Sequence, residues 1–239
     1  MRSPILPLET DAGSAKLRAA AKPGAAIEIA GVTDVGRLRK RNEDAIGWDA
    51  RLGMAMVADG MGGSQGGDIA AATALRSIRD DLRRAFADGE RHGERARSRD
   101  VRAALVVELV RRANQGVRQS AARDDRLNGM GTTLVLALMG PDFLTAAHVG
   151  DSRLYRLRGA RLERLTEDHS MVQEMVGRGQ MNARQAAMSR HRNVITRALG
   201  IARDVTVDVA HHAAVPGDVF MLCTDGLTNM VAEDEIGPR

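Results

Sequence analysis

Met54-Ala55-Met56-Val57-Ala58-Asp59-Gly60 is an apolar run that stops on a carboxylate and a glycine. A short apolar run bounded by a turn residue reads as a buried strand. The same ending recurs twice. Leu144–Val149 runs into Gly150-Asp151-Ser152, and Val219–Cys223 runs into Thr224-Asp225-Gly226. An aspartate directly after a buried strand stands at the rim of a sheet on a rigid element, and a neighbouring glycine lets backbone approach a ligand closely. One Asp-Gly is ordinarily a turn. Three of them at strand ends point to rims that converge on one cleft.

Outward from these rims, further apolar runs read as strands: Ile27–Val32, Ala45–Trp48, Thr132–Met139 and Arg153–Leu157. Two segments have helical spacing instead. Ala71, Leu75, Ile78, Leu82 and Phe86 recur at three- and four-residue intervals after Asp68, with Arg83 and Arg84 in the last turn. Val101, Leu105, Leu109 and Ala113 repeat behind an expected Asp100 cap. A third helical region is expected over about 168–177. Residues 88–99 read as a solvated, charged loop. Two long helices between blocks of strands suit an α+β domain of antiparallel sheets better than a regular βαβ alternation.

Composition removes several classes. The 239 residues, 44% hydrophobic and 28% charged, are ordinary globular values and allow one large domain. The single cysteine, Cys223, excludes an internal disulfide and suits a reducing compartment. No apolar stretch of signal or membrane-spanning length is present, so the cytoplasm is the expected location. A net charge of +4 raises the question of nucleic acid. Lysine occurs only at 16, 22 and 40, arginine is dispersed, and aromatics at 2% offer bases few rings to stack on. Neither a nucleic-acid nor a membrane partner is expected.

Converging carboxylates repel one another unless a cation lies between them. Oxygen ligands favour Mg²⁺ or Mn²⁺, whereas zinc more often recruits sulfur or imidazole at short spacing, which neither Cys223 nor the pair His211 and His212 supplies. Upstream, the segment from Thr33 to Asp44 joins the first two strands with a concentration of opposite charges. It is a solvated hairpin on the plainest reading. An arginine near a dinuclear site would have a use there, since guanidinium holds two phosphate oxygens at once.

Seven spaced segments carry a family resemblance: Thr33-Asp34-Val35-Gly36; Arg39 with Asn42-Glu43-Asp44-Ala45; Val57-Ala58-Asp59-Gly60-Met61-Gly62-Gly63; Gly129-Met130-Gly131-Thr132-Thr133; His148-Val149-Gly150-Asp151-Ser152-Arg153; Leu165-Thr166-Glu167-Asp168-His169-Ser170; and Leu222-Cys223-Thr224-Asp225-Gly226-Leu227. In this order they resemble the metal-dependent type 2C serine/threonine protein phosphatases, closest to their compact bacterial members. The resemblance implies a four-layer α-β-β-α sandwich, two antiparallel sheets flanked by helices with the metal site at one end. It implies that Asp59 bridges two Mn²⁺ or Mg²⁺ ions and that the Gly60 carbonyl and Asp225 ligate them. Asp151 matches the residue associated with a third, weaker ion. Arg39 matches the phosphate-holding arginine, and Glu43 with Asp44 the acidic pair that supports the site.

The implied reaction is hydrolysis of phosphoserine and phosphothreonine in proteins by water activated between two cations, with no covalent enzyme intermediate, reversing a Ser/Thr kinase. Some relatives carry a histidine just after the Asp-Gly pair or after Met-Gly-Gly; Met61 and Ser64 stand there, so a water is the expected acid. Glycine-rich 129–133 is expected to be a structural turn, His148 to pack within its sheet, and about 167–192 to form a flap. The expected boundaries are a mobile tail over 1–26 and a monomeric phosphatase domain over 27–239. Family domains continue past the Asp225-Gly226 element to a strand carrying Asp-Asn, whereas this sequence stops at Gly237-Pro238-Arg239. The domain is therefore expected to lack its last strand. That leaves a second reading open, a truncated, inactive module that binds phosphoproteins.

Overall fold

The computed structural model describes residues 15–17, 27–62, 66–86 and 98–237. The remainder of the expected tail, 1–14 and 18–26, and most of the expected loop over 88–99 lie outside the described residues. A short strand β1 (Ala15–Leu17) pairs antiparallel with β2 (Ile29–Gly31). The larger sheet is built from β3 (Asp44–Asp49), β4 (Met54–Met61), β5 (Gly131–Thr132), β6 (Leu134–Met139), β7 (Phe143–Val149) and β10 (Asp208–Ala213). Its order is β10-β7-β6-β4-β3, with β5 also paired to β4, and every pairing is antiparallel. The smaller sheet has the order β11-β8-β9, from β11 (Val219–Cys223), β8 (Arg153–Arg158) and β9 (Arg161–Arg164).

Alternation along the strands sends side chains to two separate cores. Ile46, Val57, Val135, Ala137, Leu144 and Ala146 face Leu154, Phe220 and Leu222 between the sheets. The opposite face of the larger sheet packs on α1 (Gly67–Ala85) and α2 (Arg99–Ala121). Ala70, Ala71 and Ala74 are fully buried in α1, and such small side chains let a helix lie close to a sheet. Leu75, Ile78 and Leu82, also fully buried, each contribute about 1.5–3 kcal/mol by leaving water. Arg83 closes the helix against Asp49 at the end of β3, donating from Nε and Nη2 at 2.9 and 2.8 Å. The architecture is thus the expected α+β sandwich of two antiparallel sheets with helices.

Several local expectations are corrected. The cap of α2 is Ser98, whose Oγ accepts from Val101 N–H, and Asp100 lies in the first turn. The buried face of α2 is Arg102, Val106, Leu109, Val110, Ala113, Asn114 and Val117, so Leu109 and Ala113 are buried as expected, Leu105 packs at the edge of the core and Val101 is exposed. Arg102 lies on this buried face. Its Nη2 donates to Leu138 O and Met139 O at 2.8 Å, and burial pushes its pKa down to about 10. Strands β9 and β10 escaped the sequence pattern because they are charged or half-exposed edge strands. The expected third helix begins only at α3 (Met171–Gly177), where Ser170 accepts from Gln173 N–H. It is followed by α4 (Ala183–Met188), which carries a reciprocal capping box between Asn182 and Gln185. Cys223 is buried core filler, and desolvation pushes its thiol up to about 11.

Candidate active site

Antiparallel register places Asp44, the first residue of β3, opposite Asp59 on β4. Asp59 is fixed through its backbone. Its N–H donates to Thr133 Oγ1 at 2.9 Å, its carbonyl accepts from Thr133 N–H and Thr132 Oγ1 at 2.9 Å, and Thr133 Oγ1 pairs with Ser152 Oγ at 2.7 Å. The expected structural turn over 129–133 therefore also clamps the Asp59 strand end and the residue after Asp151.

Close backbone packing follows at once. Gly60 N–H donates to Glu43 O at 3.1 Å, and a Cβ on Gly60 would meet Gly67 O at 2.0 Å, so only glycine fits where the start of α1 crosses β4. Glu43 Oε1 lies 2.8 Å from the position a Gly67 Cβ would take, beside the N-terminal turn of α1. A carboxylate beside a helix start is favoured by the positive end of the helix dipole.

Asp225 opens α5 (Asp225–Thr228). Thr224 occupies the cap position without a capping hydrogen bond, and its hydroxyl donates instead to Asp44 Oδ2 at 2.8 Å. Asn229 Nδ2 donates to Asp225 Oδ2 at 2.9 Å, one helical turn on. The ends of β3 and β11 are thus joined directly.

Electrostatics tie four carboxyls together. Asp59 is pushed up to about 8, first by burial, then by the charges of Asp44 and Asp225, by a hydrogen bond it shares with Asp225, and by Asp151. Burial and then Asp225 and Asp168 push Asp151 up to about 6. Asp44 is also raised, by burial against the opposing Thr224 hydrogen bond, with Asp225 and Glu43 adding to the rise. Among the described residues no arginine or lysine forms an ion pair with Asp44, Asp59, Asp151 or Asp225. Arg39 sits on the exposed loop before β3 and has no ion-pair or hydrogen-bond partner among the described residues, while Arg41 anchors that loop to Asp68 of α1 at 2.8 Å. Crowded oxygen donors without an ion pair fit divalent cations, and a carboxyl whose pKa is raised by burial and by its neighbours gives up its proton more readily when such a cation arrives.

Thr133, Thr224, Asn229 and His169 support this end of the molecule and were not singled out as site residues from the sequence. Asn229 could have been found, since it lies four residues after Asp225. The others could not. Thr133 reaches Asp59 across 74 positions and Thr224 reaches Asp44 across 180. His148 packs within the sheet as expected, its ring stacked on His169 at 4.5 Å between centroids.

Comparison with known proteins now gives the family. The Protein phosphatase 2C profile matches residues 37–237. The serine/threonine phosphatase stp of Listeria welshimeri is 37% identical over 207 residues, covering 85% of this chain and 79% of that protein. The crystal structure of the Mycobacterium tuberculosis serine/threonine phosphatase PstP/Ppp superposes with a TM-score of 0.73 at 30% identity, over 84% of this chain and 79% of the other. The catalytic domain of serine threonine protein phosphatase PstP in complex with two manganese ions superposes with a TM-score of 0.67 at 30% identity, over 84% and 78%. This chain belongs to the protein phosphatase 2C family.

Proposed function

We infer that this chain is a divalent-metal-dependent phosphatase that removes phosphate from phosphoserine and phosphothreonine in proteins, with Asp59, Asp151, Asp225 and the Gly60 carbonyl as metal ligands. One observation carries the reading: the carboxyls of Asp44, Asp59, Asp151 and Asp225 act on one another at the strand ends, none of them forms an ion pair among the described residues, and burial followed by these neighbouring charges pushes Asp59 up to about 8. The manganese-bound relative supports divalent ions, and the oxygen-only donor set favours Mn²⁺ or Mg²⁺ over zinc.

When bound, such ions lower the pKa of water into the neutral range and offset charge on a phosphoryl group. The chain's own residues do the rest. Asp59 presents its carboxyl from a strand end locked by Thr132 and Thr133. Asp44, held by Thr224, and Glu43, at the start of α1, orient water beside the site. Arg39, exposed and without an ion pair among the described residues, takes two phosphate oxygens in the geometry guanidinium prefers. The leaving serine or threonine oxygen takes its proton from water, since Met61 offers none.

The partners we propose are phosphoproteins and the Ser/Thr kinase that makes them, with the chain acting as a monomer in the cytoplasm and binding neither nucleic acid nor membrane. Among the described residues no helix is long and apolar enough to cross a membrane. The binding-module alternative is not favoured, because the named relatives are phosphatases.

The test is Mn²⁺-dependent phosphate release from a phosphothreonine peptide, with EDTA and Arg39→Ala as controls. Turnover that survives chelation overturns the metal mechanism. Phosphopeptide binding without turnover under any divalent ion would restore the binding-module reading.

A further inference from the structure

Behind Asp151 lies a set of contacts that the proposed chemistry does not use. His169, only 5% exposed, holds both main-chain polar groups of Gly150, one in each of the two peptide units that flank its Cα. Its main-chain N–H donates to Gly150 O at 2.9 Å, and its ring Nδ1 accepts from Gly150 N–H at 3.1 Å. A backbone N–H can only donate, so Nδ1 carries a lone pair and the proton of the neutral ring sits on Nε2. Nε2 faces Asp208 Oδ2 on β10 at 3.3 Å. Arg197 Nη1 donates to Asp208 Oδ1 at 2.8 Å and lies 3.2 Å from the same Nε2.

His148, His169 and Asp208 offer ligand atoms within 4.8 Å of one another, which invites a metal. The donor chemistry argues against one. Both nitrogens of His169 are committed, His148 Nε2 donates to Glu167 O at 2.8 Å, and the Arg197 guanidinium already neutralises Asp208. A metal needs free lone pairs, whereas these groups need their protons to satisfy each other.

We propose that His169, oriented by Asp208, is a positioning residue for Asp151: by fixing both polar groups of Gly150 it fixes the direction in which the next carboxyl enters the metal site. The inference rests on the reading of Asp151 as a metal-site carboxylate. Gly150 adopts φ +105°, a left-handed conformation, and a Cβ there would lie 2.6 Å from Thr133 Cγ2. The peptide before Asp151 is thus gripped by His169 on one side and packed on Thr133 on the other. The arrangement is the one by which outer hydrogen bonds orient metal-binding groups elsewhere. It also joins the expected flap to the site. Thr196 N–H donates to His169 O at 2.8 Å and Ser170 bridges Ile195, so the two ends of the segment carrying α3 and α4 close on the same histidine.

The experiment compares wild type with His169→Asn, His169→Ala and Asp208→Ala by calorimetric titration of the whole chain with Mn²⁺, alongside phosphate release and thermal melting. Asparagine places Oδ1 where Nδ1 stands and preserves the acceptor for Gly150 N–H. His169→Ala is expected to weaken the weakest-binding Mn²⁺ about 10- to 100-fold, the usual range for lost outer-shell support, while the tighter ions bind as before. His169→Asn is expected to stay near wild type and Asp208→Ala to fall between the two. Asp208 is half-exposed, so that variant tests the contact without hollowing the core. Equal losses in the alanine and asparagine variants, or lowered melting temperatures with unchanged Mn²⁺ binding, would reduce His169 to packing and overturn the proposal. A wild type that binds no Mn²⁺ would instead overturn the reading of the site itself.

Discussion

Two acidic groupings share one end of the sandwich and are stabilised in opposite ways. Asp168 is compensated: Arg153 reaches it from Nη2 at 2.6 Å and Nε at 2.9 Å, and the same arginine holds Glu233 at 3.0 Å. Asp44, Asp59, Asp151 and Asp225 have threonine hydroxyls, an asparagine amide and one another, but no ion pair among the described residues. Asp168 and Asp59 are both largely shielded from water, so solvent does not account for the difference between them. A carboxylate paired with arginine is complete as it stands and can be purely structural. Carboxylates left facing each other store repulsion that an added cation relieves, which is why we propose them as the metal-binding group.

The sharpest way to break this contrast is Asp59→Asn. It removes a proposed ligand, and Mn²⁺-dependent turnover of a phosphothreonine peptide is expected to fall on the order of 10³-fold, the scale of losing one group that stabilises the transition state. The metal-free variant should nevertheless melt higher than wild type at pH 8, because the repulsion has gone. A variant that loses both activity and stability would mean Asp59 is structural, like Asp168.

Arg153→Ala attacks the compensated side. Breaking a largely buried pair from one partner should cost about 3 kcal/mol, read by urea unfolding. A loss below about 1 kcal/mol would place the pair with ordinary surface bridges.

The pH dependence of the metal-free chain sharpens the comparison further. Asp59 has a folded value of about 8, above the unfolded carboxylate value of about 4, so the native state binds the extra proton between them. Its contribution to stability is therefore complete below about pH 4 and is lost as pH rises through about 8. Asp151, raised to about 6, acts with the same sign. Melting temperature in EDTA should fall from pH 5 to pH 8.5, and saturating Mn²⁺ should flatten the slope. A flat profile in EDTA would mean that the carboxyls do not crowd one another.

The smallest expected effect is Thr133→Val, which keeps the shape but strips the hydroxyl from Asp59 N–H and Ser152. It should cost about 1–2 kcal/mol in unfolding free energy. Weakened Mn²⁺ affinity alongside that loss would extend the role of Thr133 from holding the strand to aiming the carboxylate.

Much of this was legible in the chain. Short apolar runs gave β4, β6, β7, β8 and β11, and three- and four-residue spacing gave α1 and α2, because each pattern follows from how much of a local element is buried. Asp59, Asp151 and Asp225 stood out because each follows an apolar strand and adjoins a glycine. The place of Arg102 on the buried face of α2 was not legible, since the value of burying it depends on carbonyls at 138 and 139. Edge strands β9 and β10 carry too little apolar pattern to announce themselves.

Sequence by itself determined the strand ends, the long helices and the kind of atom offered at the site, for these depend on neighbours a few residues away. Only the tertiary structure decided that Thr224 gives its hydroxyl to Asp44 rather than to its own helix, that Thr133 locks Asp59, and that His169 spends both ring nitrogens on Gly150 and Asp208. A hydrogen bond is short and directional, so which of many possible partners a side chain takes is settled by the register of strands far apart in the chain.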